Sequence, residues 1–186
     1  MNNILPFDEL NAFRLRLLER FPDGKLVVDD DYDDILDWML DIFLLAIANS
    51  VFNTNKQLGG DWVPPIEDIM MIVDKKVVGK TWKQRVGEYF ANGGSVDDLV
   101  RIAETETHRD LNEAALVTAS HNGARTKTWQ TMLDDRVRDP HVYLEGVSVG
   151  INDDFYAYDG NHAPAPGMFG VPELDVNCRC FLSFGK

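Results

Sequence analysis

This chain uses cysteine twice, and both copies fall in one stretch, "DVNCRC", Asp175 to Cys180. Residues two apart in an extended strand face the same side. Cys178 and Cys180 then present both sulfurs to one face, while Arg179 points away. That arrangement suits metal ligation better than a mutual disulfide, because a bridge across one residue is strained and there is no third cysteine. A zinc ion held by the pair needs two further ligands, and ligand softness points to His141, His162 or Asp175. The commoner explanation of two free cysteines is burial as small hydrophobes.

A second group is "DDRVRDPH", Asp134 to His141. Its acids, arginines and histidine fit a general acid/base site, or the more frequent case of a solvated turn whose side chains tie down backbone groups and each other. In "ETETHRDLNEAA", Glu106, Arg109 and Glu113 lie three and four apart and pair along one side of a helix. Glu106 shares the side of Leu99 and Ile102, which predicts a partly buried ion pair locking this helix against the C-terminal unit; a catalytic Glu is the rarer alternative. No nucleophile elbow, phosphate-cradling glycine loop or HExxH helix occurs in the sequence.

Helices must position most of these groups. Phe7, Leu10, Phe13, Leu17 and Leu18 are spaced for a first amphipathic helix within Pro6 to Phe21. A second is expected from about Asp31 to Asn53, started by the acids of "DDDYDDILD". That run lacks the central glycine and closing Glu of a calcium-binding EF-hand loop. Its apolar part, Ile35 to Phe52, is interrupted by Asp37 and Asp41 and reads as a buried helix, not a membrane span. Further helices are expected over Ile66 to Val78 and Thr81 to Ala91. A long one starts at the N-cap Ser95, with Asp98 three residues on, and stops at Asn122 and Gly123. Its inward face runs through Val96, Val100, Ala103, Thr107, Leu111, Ala114 and Thr118.

Beyond Gly123, "TKTWQTM", "VSVGI", "FYAY" and "CRCFLSF" read as short strands separated by glycine and proline. The predicted class is α+β: a mostly helical N-terminal part, then a small C-terminal unit with short strands. A net charge of −13, from 31 acidic and 18 basic side chains, repels phosphate backbones and argues against nucleic acid as a direct, sequence-specific ligand. Arg14, Arg16, Glu19 and Arg20 occupy the region where a signal peptide needs an apolar core. Reduced thiols in a cytoplasm are therefore the expectation.

Three stretches, "RIAETETHRDLNEAA", "KTWQTMLDDRVRDPHVYLEG" and "NCRC", occur in the order and spacing that resemble the phage Mu F-like minor head proteins, or phage head morphogenesis proteins. The residues that carry the resemblance are Glu104 to Thr107, Asn112 to Ala114, Trp129, Asp134, Arg136, Leu144 with Gly146, and Asn177 to Cys180, within about Lys75 to Phe184. It implies that Glu106, Arg109, Asn112, Trp129, Asp134, Arg136, Gly146 and Asn177 are structural motif residues. Family members with a Cys-x-x-Cys after the Asp-x-Arg and a His-Pro before the Asn-Cys-Arg-Cys resemble zinc proteins. Here Arg138 takes the place of the first cysteine, His141 the second, and Asp175 the histidine. The ligand set that the resemblance leaves is His141, Asp175, Cys178 and Cys180, weaker for zinc because two soft ligands are replaced, unless the cysteines are core remnants of an ancestral site.

The resemblance further implies a non-enzymatic minor capsid protein, associated with the portal during head assembly and DNA packaging or delivery. Portal, capsid or scaffolding proteins would be its partners, with no membrane involved. Its place would be the virion, in the capsid interior or at the portal vertex, after assembly in the host cytoplasm. Residues 1–75 are then a helical extension suited to docking, and residues 76–186 the head morphogenesis domain. Two alternatives are a toxin-like enzyme using "DDRVRDPH" with His162 and Glu106, and a small zinc-stabilised interaction module. Against the first, the family-like segment reaches almost to Lys186.

Overall fold

A computed structural model describes residues 6–27, 32–77 and 79–186. Helix α1 (Phe7–Arg20) buries Leu10, Phe13 and Leu17, one stripe at helical spacing. Helix α2 (Tyr32–Leu58) runs beyond Asn53, because Thr54 and Leu58 continue the buried face begun by Ile35, Met39 and Phe43. The expected start at Asp31 and the preceding Asp29 and Asp30 lie outside the described residues. By length and composition α2 could cross a bilayer, but here its apolar stripe packs chiefly on the long helix α5 (Val96–His121).

Helix α3 (Ile66–Val73) stops short of the expected Val78, which itself lies outside the described residues. Its last turn is capped from outside: the Arg109 guanidinium donates to the carbonyls of Ile72 at 2.9 Å and of Lys75 at 3.2 Å. Helix α4 (Trp82–Ala91) begins with a reciprocal Thr81–Gln84 capping box, and α5 with the same device between Ser95 and Asp98. The seven residues expected to face inward along α5 are all buried. All five helices contribute to one apolar core with α5 as its spine. The 75/76 boundary falls in the link between α3 and α4, and helices from both sides of it share that core.

The remainder is a small sheet around β1 (Thr126–Gln130), flanked antiparallel by β2 (Ser148–Gly150) and β5 (Phe181–Gly185). A separate hairpin pairs β3 (Phe155–Tyr156) with β4 (His162–Ala163). Trp129, Leu144, Phe155, Ala165, Cys178, Cys180 and Leu182 form a second core. The class is α+β, as expected. Two differences matter for the site. The last strand begins at Phe181, so both cysteines sit in the loop before it. Two short helices, α6 (Asp139–Leu144) and α7 (Pro172–Asp175), replace what reads as turn and loop. Each starts with proline in its first turn, whose fixed φ favours a helical start, but neither is long enough to show a periodicity.

Candidate functional site

The cysteine loop is built by a backbone turn at Asn177, which adopts φ 57° directly after α7. Asparagine tolerates this left-handed conformation better than most residues. The turn swings both sulfurs inward toward α6, where His141 is also buried. His141 Nδ1 lies 3.5 Å from Cys180 Sγ and 3.7 Å from Cys178 Sγ. The His141 ring is stacked on Phe169 and meets the Trp129 ring edge-on. Among the described residues these three form a ligand-type group whose donor atoms all lie within 4.8 Å of one another. The same-side placement expected of the cysteines is present although the loop is not a strand.

The donor set fits zinc. With Zn–S at about 2.3 Å and Zn–N at about 2.05 Å, the edge of a tetrahedral site between N and S is about 3.6 Å. The two N···S distances bracket that value. A hydrogen bond between the two thiols pushes Cys178 up, burial adds to the rise, and the same bond holds Cys180 below its ordinary value. Cys180 is thus the readier thiolate, the form that a metal requires.

The other proposed ligands are placed elsewhere. The Asp175 carboxylate accepts N–H bonds from Phe169 at 2.9 Å, Gly170 at 2.7 Å and Val171 at 3.2 Å, and so organises the loop before α7. Burial raises its pKa and those three bonds oppose the rise. His162 is exposed on the β3–β4 hairpin, 2.7 Å from Asp154. Arg138 donates to the carbonyls of Leu174 and Val176, fastening the start of α6 to the end of α7. Within "DDRVRDPH", Asp134 takes two bonds from Arg179, at 2.8 and 2.6 Å, and one from the Arg136 backbone N–H. Gly146, at φ 71°, turns the chain from α6 into β2, where its N–H meets the Trp129 carbonyl.

Glu106 forms the expected buried pair with Arg109, at 2.6 Å, and also binds Arg85 of α4. This cluster locks α5 against α3 and α4, not against the C-terminal unit. Arg109 lies on the face of α5 that carries its guanidinium to the end of α3. Asp110 beside it is fully buried, and desolvation pushes its carboxyl up to about 7 against the pull of Arg109. The link from α5 to the C-terminal unit is instead Asn112, whose amide donates to the Cys180 carbonyl at 3.2 Å and the His108 carbonyl at 3.1 Å. His108 escapes sequence reasoning. It is buried, it draws the Cys178 thiol down against the rise that burial causes, and its Nε2 lies 3.1 Å from the Asn112 amide nitrogen. The available signal was its position four residues before Asn112, on the same helix face.

The family described as "Phage Mu protein F like protein" matches residues 74–183, a segment that holds the cysteine loop, α6 and all of α5. The chain belongs to this family. The Mu F-like protein is also similar to an NAD(+)-arginine ADP-ribosyltransferase of Enterococcus faecalis, 34% identical over 90 residues, 46% of this chain and 18% of the relative. It is 31% identical over 85 residues to the minor head protein of Bacillus phage SPP1, 44% of this chain and 28% of that relative. The chain therefore spans less than a third of either relative. No solved structure matches. Helices α1, α2 and α3 precede the Mu F-like segment, but share its core.

Proposed function

We propose that this protein is a non-enzymatic minor component of a phage head, acting in head morphogenesis in association with the portal while DNA is packaged or delivered. The observation that carries the reading is the family match over 74–183. The similarity to a minor head protein supports it. So does the use made of buried polar groups: Glu106, Arg109 and Asn112 hold elements together. Residues 1–75 suit docking to portal, capsid or scaffolding proteins, since Leu15, Phe52, Ile66 and Met71 are exposed on α1, α2 and α3. A charge of −13 suits a basic partner surface. In this reading the protein is assembled in the host cytoplasm and stays in the virion, at the portal vertex or in the capsid interior. The ADP-ribosyltransferase is matched over 18% of its length, too little to bring its activity here.

The test is quantitative mass spectrometry of purified virions and empty capsid precursors from the phage or prophage that encodes the chain. A few to some tens of copies per particle, in a fixed ratio to the portal, is the expected result. Absence from both particles would sink the proposal.

A further inference from the structure

We propose that His108 on α5 is the fourth ligand of a zinc site completed by His141, Cys178 and Cys180, so that one ion ties the long helix to the C-terminal unit. Three buried donors are already gathered, with N···S spacings close to a tetrahedral edge. A closed structural zinc site takes four protein ligands, usually sulfur and imidazole nitrogen. The other groups that sequence suggests are engaged. Asp175 spends its oxygens on three backbone N–H groups, and His162 is exposed with Asp154 as its partner. Arg138 is a cation with no lone pair to give, and it holds carbonyls of the α7 end.

His108 differs from all of these. It is 5% exposed, and its imidazole is a soft nitrogen donor. Asn112 meets its ring at Nε2 and bonds the Cys180 carbonyl, so helix and loop are already in register. The group within 4.8 Å is complete without His108, so ion binding must draw this ring in toward Cys180 and His141. The thiol protons leave as the ion enters, which makes binding tighter as pH rises.

The full-length protein, reduced and stripped with chelator, is titrated with cobalt and then zinc while absorption is followed. Expected are about one ion per chain and the visible bands of tetrahedral cobalt with thiolate charge transfer. His108→Ala should lower affinity by more than about 100-fold, beyond the roughly 10- to 100-fold typical of losing an outer hydrogen-bond partner, and should change the cobalt spectrum. His108→Cys should restore binding and strengthen the charge-transfer band, since a third thiolate joins the ion; it keeps the test decisive if the alanine variant does not fold. Asp175→Asn should leave stoichiometry and spectrum unchanged. Wild-type protein that binds no ion overturns the proposal, as does His108→Ala with its cobalt spectrum intact, or His108→Cys without a stronger charge-transfer band. Loss of the spectrum in Asp175→Asn would give the fourth place to Asp175 and equally overturn it.

Discussion

Asn177 is one of two described residues other than glycine with positive φ, and it turns the backbone just before the first cysteine. Most L-residues are disfavoured there by roughly 1–2 kcal/mol, β-branched ones most of all. Asn177→Val should therefore lower unfolding stability by about 1–2 kcal/mol, whereas Asn177→Gly should leave it nearly unchanged. Urea titration of the two variants decides this. Equal losses in both would mean that the Asn side chain, not the backbone conformation, is what the site needs. The resemblance marked Asn177 as a motif residue, but its physical reason is a dihedral angle. A sequence lists the residue and leaves the angle unstated.

At the scale of elements, α5 divides its duties between two faces. One carries Glu106 and Arg109 to α4 and the end of α3; the other carries His108 and Asn112 to the cysteine loop. Asp110 adds a pH dependence to the first. Its pKa is raised from 3.8 to about 7, so the folded state binds a proton that the unfolded state releases between those values. Its contribution is fully present below about pH 4 and is lost as pH rises through about 7, a change on the order of a few kcal/mol. Asp110→Asn should flatten this part of the stability profile. Melting temperatures of both proteins from pH 5 to 8, followed by circular dichroism, provide the check; parallel profiles would show that Asp110 is not the group responsible.

For the whole molecule, two apolar cores share one spine: the helical core and the core around Trp129 are both built on α5 or packed against it. Cys178 and Cys180 belong to the second core. Replacing both with serine puts two hydroxyls where thiols pack and removes the sulfurs facing His141. Amide exchange should then rise through β1, β2 and β5 while α1 and α2 stay protected. Uniform acceleration across the chain would mean that the two cores unfold together; unchanged exchange everywhere would deny the cysteines a structural role.

What the sequence by itself determined was local. The N-cap Ser95, the inward stripe of α5 and the class of the fold follow from helical spacing and hydrogen bonds between residues close in the chain. The order of the motifs determined the family. Tertiary structure decided what meets the cysteines: His141 comes in on a helix too short to show periodicity, Asp175 is taken by its own loop, and His108 approaches from α5. Such convergence depends on how separate elements pack and on a left-handed turn at one asparagine. No repeat of 3.6 or of two residues records either, because periodicity reports which face of an element is buried and not what is brought against it.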